Sequence, residues 1–318
     1  MPDTENARAD TVLMLITSEF VKQRYDSLKC KRPDLRIVTS LDEGVNDEIT
    51  AIFTFSLPEG IAPRLPQLRL VASVGAGVDG ILQARDLPLE VKVTRACDIG
   101  LGYSMSQYVV MQILRHFRDL RTLERQHTSA KWARLPVASA SQSTVGIMGL
   151  GQTGVVVAQA VAALGFRVTG WTRTASRDVS IERFVGQQNL LPFLEKCDFL
   201  VCLLPLTDET RHLLNRNILS RLRKGCYVIN VARGGILVEE DLLELVESGH
   251  LGGAALDVFA AEPLDPNSPL WGHEKILVTP HIAAQPSTEP VVDQFLDNLQ
   301  RMRNATPLIN EVDRILGY

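Results

Sequence analysis

T-V-G-I-M-G-L-G-Q-T-G, residues 144–154, decides the fold. A short apolar run leads into Gly149, Gly151 and Gly154, spaced G-x-G-x-x-G, and the helical stretch V-V-V-A-Q-A-V-A-A-L follows. Strand, glycine turn and helix in that order open a βαβ unit, the context in which this spacing binds a dinucleotide. The glycines permit the tight turn, the close approach of a pyrophosphate and tight helix packing. The first N–H groups of the helix then face the phosphates. Gly149, Gly151, Gln152, Thr153 and Gly154 are the first candidate cofactor-binding residues.

Outward from this point, short apolar runs repeat along the chain. T-V-L-M-L-I, I-T-A-I-F-T-F, L-R-L-V-A-S-V and V-K-V-T-R-A precede it; F-R-V-T-G-W, F-L-V-C-L-L, C-Y-V-I-N-V-A, G-A-A-L-D-V-F and K-I-L-V-T follow. They are continuous rather than alternating, as strands buried on both faces are in a parallel sheet, and helical stretches such as V-E-E-D-L-L-E-L-V-E-S-G supply the crossovers. The expected fold class is α/β, doubly wound and parallel. Val109, Val110, Ile113, Leu114 and Phe117 recur at helical spacing, which predicts one long amphipathic helix from Ser104 to Leu123 that could link two domains. A last helix is predicted from Gln285 to Arg303.

The adenosine end of the site is expected in V-T-G-W-T-R-T, residues 168–174. An acidic residue about 20 positions past the glycines normally binds the ribose hydroxyls of NAD. Thr172 stands 18 positions past Gly154, and no carboxylate is there. Arg173 can pair with a 2′-phosphate through its planar guanidinium, and the hydroxyls of Thr172 and Thr174 can donate to it. NADPH is the expected cofactor, with NAD(H) as the alternative.

With 318 residues, two domains are expected. A hydrophobic share of 45% and a net charge of −4 describe an ordinary globular chain with no basic field for nucleic acid. The polar start M-P-D-T-E-N-A-R-A-D is unlike a signal peptide and no apolar run approaches about 18 residues, so no membrane partner and a cytoplasmic location are expected. Five cysteines at irregular spacing, with Cys197, Cys202 and Cys226 in or beside strand-like runs, read as buried thiols. No metal site is expected. G-x-S-x-G, H-E-x-x-H and P-loop patterns are absent.

Ionisable residues fall at strand carboxyl ends, where the ligand crevice of an open α/β sheet lies. Arg233 follows C-Y-V-I-N-V-A, Asp257 and Glu262 lie at or after G-A-A-L-D-V-F, and His281 follows K-I-L-V-T-P. Each alone also fits a turn residue, a solvated loop charge or a capped ring. Together they suit reduction of a 2-oxo acid: an arginine to hold the carboxylate, a histidine to give a proton, and a glutamate to orient and charge the histidine.

These segments resemble the D-isomer-specific 2-hydroxyacid dehydrogenases over nearly the whole chain. The likeness is carried by G-L-G-Q-T-G, N-V-A-R-G-G-I-L-V-E-E-D-L-L, G-A-A-L-D-V-F-A-A-E-P-L and V-T-P-H-I-A-A. G-W-T-R-T, K-W-A-R-L-P, P-L-W-G-H-E-K-I-L-V-T-P-H and V-D-R-I-L-G-Y are similar to the glyoxylate/hydroxypyruvate reductase A branch. Gln107 departs from the glutamate common there. The resemblance implies Arg233, Glu262 and His281 as the catalytic residues. It implies that the backbone of S-V-G-A-G-V-D-G, around Ala76 and Gly77, binds the substrate carboxylate with Arg233. It further implies cofactor contacts from Asp257 at the nicotinamide end, from Leu204, Pro205 and Thr210 on the adenosine side, and from Val231 and Ala232.

The family's architecture implies two Rossmann-like domains with a cleft between them. Residues 1–103 form the first segment of a substrate-binding domain, residues 104–284 an NAD(P)-binding domain, and residues 285–318 a return to the first. It also implies a homodimer built on the cofactor domain. The expected reaction is NADPH-dependent reduction of glyoxylate or hydroxypyruvate to the 2-hydroxy acid. Two alternatives are an NAD(H)-sensing corepressor and an NAD-dependent formate- or phosphite-type dehydrogenase.

Overall fold

The continuous apolar runs become the strands of two all-parallel sheets. The computed structural model describes residues 10–97, 99–173 and 181–318, and the chain divides into two units, residues 1–98 with 286–318 and residues 99–285. In the first, β1 (Thr11–Leu13), β2 (Arg36–Val38), β3 (Ile49–Thr54), β4 (Leu70–Ser73) and β5 (Lys92–Thr94) lie in the order β2-β1-β3-β4-β5. The second unit contains β6 (Thr144–Met148), β7 (Arg167–Thr172), β8 (Glu182–Val185), β9 (Phe199–Cys202), β10 (Tyr227–Asn230), β11 (Gly253–Leu256) and β12 (Ile276–Val278). Their order is β12-β11-β10-β9-β6-β7-β8. The chain reverses direction across this sheet between β6 and β9, which makes their carboxyl ends the switch point where a crevice opens.

Both faces of the seven-stranded sheet are covered, one by a core around Leu200, Val228, Leu242 and Leu256, the other by a core around Ile113, Ile147, Val157 and Ile229. Cys197, Cys202 and Cys226 are buried here, and burial pushes the thiols of Cys197 and Cys202 up to about 12. In the first unit the helix Thr288–Arg303 returns onto the sheet by stacking Phe295 on Phe53 of β3, with ring centroids 4.3 Å apart. Removing either ring would cost about 3–5 kcal/mol.

Four expectations change. β2 and β8 are additional strands, short pieces at the sheet edges that carry exposed or half-exposed positions. The helix expected over Ser104–Leu123 is two helices, Ile99–Phe117 and Leu120–Thr128. Asp119 breaks it by taking a left-handed conformation (φ 46°) and accepting the N–H of Thr122 at 3.3 Å, an N-cap for the second helix. The first division falls at 98/99 rather than 103/104, because the helix already begins at Ile99 and Gly102 packs against Val156 within the second unit. The last helix starts at Thr288, after Pro286 and the N-cap Ser287. Among the described residues no helix is long and apolar enough to cross a membrane, and no group of three or more His, Cys, Asp or Glu side chains could hold a metal ion.

Candidate active site

The turn after β6 separates internal from external demands for glycine. Gly149 has φ +99°, and a Cβ on it would lie 2.9 Å from the Leu203 carbonyl oxygen; a Cβ on Gly154 would lie 1.9 Å from that of Gly149. The fold itself requires both. Gly151 has an ordinary φ of −73°, and an added Cβ would meet nothing within 4 Å. Neither conformation nor packing asks for glycine there. The open space before its backbone is what a pyrophosphate needs to come close. The helix Gln152–Ala163, which contains Gln152 and Thr153 in its first turn, has no side-chain cap on its leading N–H groups. This cradle fits a dinucleotide.

At the end of β7, Thr172 is buried and the Nη1 of Arg173 donates to Glu209 Oε2 at 2.6 Å. Thr174 lies outside the described residues. Glu209 belongs to the turn after β9. There the Thr210 hydroxyl donates to the Pro205 carbonyl at 2.7 Å and accepts the N–H of Thr207 at 2.8 Å, so this side chain closes the turn. Leu204 is buried beside Gly149.

The ends of β10, β11 and β12 hold the ionisable set. Arg233 Nη1 donates to the Ala232 carbonyl at 2.7 Å, with Val231 and Ala232 buried behind it. A Cβ on Gly234 would lie 1.8 Å from the carbonyl carbon of Phe259, so only glycine lets the arginine turn pack against the loop that carries Glu262. Glu262 Oε2 meets His281 Nδ1 at 2.8 Å, and its Oε1 accepts the Phe259 N–H at 3.0 Å. Burial opposes ionisation of Glu262. The hydrogen bonds from His281 and Phe259, with the charges of His281 and Arg233, outweigh it and hold the carboxyl below its ordinary range. Arg233, Glu262 and His281 thus form one electrostatic cluster, with His281 Nε2 on the far side of the ring from the carboxylate.

Asp257 holds the histidine loop from beneath. Its buried carboxylate accepts the Thr279 hydroxyl at 2.6 Å and the N–H groups of Ile282 at 2.9 Å and Ala283 at 2.7 Å, while its carbonyl accepts the His281 N–H at 2.8 Å. His281 takes φ 53°, a conformation such a web can maintain. Asp257, expected at the nicotinamide, has this loop-holding work in the structure. Sequence reasoning missed Tyr108, Thr279 and Asn230. Tyr108, on the helix Ile99–Phe117, shares a 2.6 Å hydrogen bond with the Thr279 hydroxyl. Asn230 donates to the Arg233 carbonyl at 3.2 Å and accepts from Ala232 at 3.3 Å. A polar residue inside an otherwise apolar strand was its available signal.

In the first unit, the loop after β4 is tied through Ser73, Gly75 and the Gly77 carbonyl. The Ser73 hydroxyl donates to the Gly77 carbonyl at 2.8 Å and accepts the Gly75 N–H at 3.1 Å; the Gly75 carbonyl accepts from Ala96 at 2.9 Å. The N–H groups of Ala76 and Gly77 donate to no described residue. These two adjacent donors are open to an acceptor from outside the described residues.

Residues 110–283 match the family model "D-isomer specific 2-hydroxyacid dehydrogenase, NAD binding domain". A relative from Klebsiella pneumoniae named glyoxylate/hydroxypyruvate reductase A is 39% identical over 256 residues, covering 79% of this chain and 82% of that protein. A D-isomer specific 2-hydroxyacid dehydrogenase from Xanthobacter autotrophicus, solved with NADPH and MES, superposes with a TM-score of 0.90 at 36% identity over 98% of this chain and 100% of that one. An NADPH-dependent glyoxylate/hydroxypyruvate reductase from Sinorhizobium meliloti, solved with NADP and sulfate, gives 0.89 at 34% identity over 97% and 100%. A cradle that fits a dinucleotide, a histidine–glutamate pair beside an arginine, and similarity over nearly the full length lead to one conclusion: the chain belongs to the D-isomer-specific 2-hydroxyacid dehydrogenase family, in its glyoxylate/hydroxypyruvate reductase A branch.

Proposed function

We propose that the protein reduces a small 2-oxo acid, glyoxylate or hydroxypyruvate, to the 2-hydroxy acid with NADPH. The observation that carries this reading is the His281–Glu262 pair at 2.8 Å in the field of Arg233. The loop from Gly149 to Gly154 would hold the dinucleotide and Arg173 and Thr172 would serve its 2′-phosphate; bound there, the cofactor would supply the hydride for the substrate carbonyl carbon. Arg233 binds the substrate and polarises its carbonyl. His281 Nε2 gives the carbonyl oxygen its proton, and Glu262 on Nδ1 fixes the ring. The N–H groups of Ala76 and Gly77 receive the substrate carboxylate.

The same reading includes a homodimer built on the second unit. Exposed apolar side chains gather on one segment of it: Ile99, Tyr103, Met111, Leu120, Leu123, Val137 and Trp132, the last 96% exposed. A segment this rich in exposed apolar side chains suits a partner. It also includes a reducing, cytoplasmic setting, in keeping with five free cysteines. The deciding experiment measures initial rates with glyoxylate, hydroxypyruvate, formate and phosphite, each with NADPH or NADH or their oxidised forms. Turnover of formate or phosphite with NAD, or tight cofactor binding without turnover of any of them, would overturn the proposal.

A further inference from the structure

Arg24, on the helix Glu19–Lys31, is the largest wholly buried side chain among the described residues. Its guanidinium donates to three main-chain carbonyls: Nε to Val74 at 3.1 Å, Nη1 to Phe20 at 2.9 Å and Nη2 to Pro286 at 2.7 Å. Its Cζ lies 3.4 Å from the centroid of the Phe20 ring. No carboxylate is among these partners. Burial lowers its pKa to about 10 and no acidic group among the described residues raises it, so the group is charged at neutral pH with no described carboxylate to cancel it. A buried cation normally has a carboxylate beside it, because desolvation of the bare charge is expensive. Carbonyl dipoles and a ring face replace the carboxylate here. An arginine without a counter-charge keeps its field for something else.

The Val74 carbonyl is bonded to the nitrogen of Gly75, the first residue of the loop that leaves the Ala76 and Gly77 N–H groups unengaged. Along covalent bonds the Ala76 nitrogen lies within about 10 Å of the guanidinium. We propose that Arg24 is a positioning residue for substrate: it fixes the glycine loop through the Val74 carbonyl and sets a permanent positive charge close to the Ala76 and Gly77 N–H groups that receive the substrate carboxylate. The hydrogen bond also polarises the Val74–Gly75 peptide in the direction that strengthens its N–H as a donor to Ser73. The bond to Pro286 ties the same guanidinium to the residue at which the chain re-enters this unit. The proposal rests on the reading of residues 76 and 77 as the carboxylate site.

The test compares the wild type with Arg24→Gln and Arg24→Lys at saturating NADPH, together with inhibition by oxalate, a dianion, and oxamate, a monoanion. At an effective dielectric constant near 20, a charge at this range alters anion affinity about three- to twentyfold. Arg24→Gln should raise the glyoxylate KM by that factor, with kcat and NADPH affinity near wild type, and should weaken oxalate more than oxamate. Arg24→Lys keeps the charge and should restore most of the affinity. Unchanged KM in a folded Arg24→Gln protein, equal losses in the two variants, or a loss confined to kcat would overturn the proposal. If thermal melting shows that Arg24→Gln does not fold, Arg24→Lys decides alone: the preference for oxalate over oxamate should persist, and its disappearance overturns the proposal. A wild type that fails to reduce glyoxylate would refute the proposed function instead, and oxalate titration would still read Arg24.

Discussion

Two arginines stand at carboxyl ends of the same sheet, and they are held differently. Arg173, after β7, is about one-third exposed and is paired with the still more exposed Glu209. Arg233, after β10, donates to its neighbour's carbonyl, its own carbonyl is held by the fully buried Asn230, and its turn is pressed against the Glu262 loop at Gly234. A guanidinium that must meet a reacting carbonyl within tenths of an ångström is preorganised by backbone contacts. One that selects between two cofactors by charge can sit on the surface and trade partners. The difference predicts that damage near β10–β12 falls on turnover and damage near β7 on cofactor choice.

The largest effect is expected from His281→Asn. The substitution removes the proposed proton donor, and a positioned acid contributes about 10²- to 10⁴-fold. Glyoxylate reduction should fall in kcat by that factor, while NADPH binding, followed by fluorescence titration, stays near wild type. Comparable losses in both would abolish the distinction between the two regions.

Arg173→Ala tests the other side. A charge-assisted contact to phosphate is worth about 1.5–3 kcal/mol, so the NADPH KM should rise roughly ten- to a hundredfold with NADH almost unaffected. Gly151→Ala supplies the contrast: its methyl group meets no protein atom within 4 Å, so both dinucleotides should bind more weakly while the melting temperature holds. If Gly151→Ala binds both normally, the loop does not receive the pyrophosphate.

Glu262→Gln joins charge to pH. The carboxyl titrates below its ordinary range, so the folded state binds fewer protons than the unfolded chain at this site. Its contribution to stability is present above the unfolded value near pH ~4.3 and is lost as the pH falls through the lower native value. The wild type should therefore melt above the variant at pH 6, and the gap should close as the pH falls toward and below about 4. In catalysis, the variant loses the carboxylate that holds Nδ1 of His281 at 2.8 Å, so kcat for glyoxylate reduction should fall about tenfold or more while NADPH affinity stays near wild type. A variant with wild-type kcat would mean that Glu262 takes no part in placing the ring.

The sheet was readable in the sequence where burial is complete. Runs such as V-G-I-M and F-L-V-C are apolar on both faces and can be little else inside an α/β fold. β2 and β8 escaped because edge strands of three and four residues with exposed positions carry no such signal. The break at Asp119 escaped for a different reason. Leu120 and Leu123 continue the apolar spacing into the second helix, so periodicity runs through a kink made by one left-handed residue. In the site, the glycine loop was legible because its residues are adjacent in the chain. Tyr108 with Thr279, Arg24 with Pro286 and Arg173 with Glu209 were not, since each pair is brought together only by the fold.

The smallest expected effect belongs to that last pair and examines the comparison most closely. Glu209 Oε2 lies 2.6 Å from Arg173 Nη1, so the acid occupies a donor that the 2′-phosphate would use. Binding NADPH then exchanges one anion for another on the same guanidinium, whereas NADH leaves the ion pair undisturbed. Exposed pairs of this sort contribute about 0.2–1 kcal/mol, so breaking one costs little, but the cost is charged against NADPH alone. Glu209→Gln should therefore lower the NADPH KM by about 1.5- to fivefold and leave the NADH KM where it was. The gain should shrink as salt is added, because both the lost ion pair and the relieved repulsion of phosphate by carboxylate are screened at the surface. An equal gain for both cofactors would place the effect in the loop rather than in the charge, and a weaker NADPH affinity would mean that Glu209 holds Arg173 in its productive position instead of competing for it.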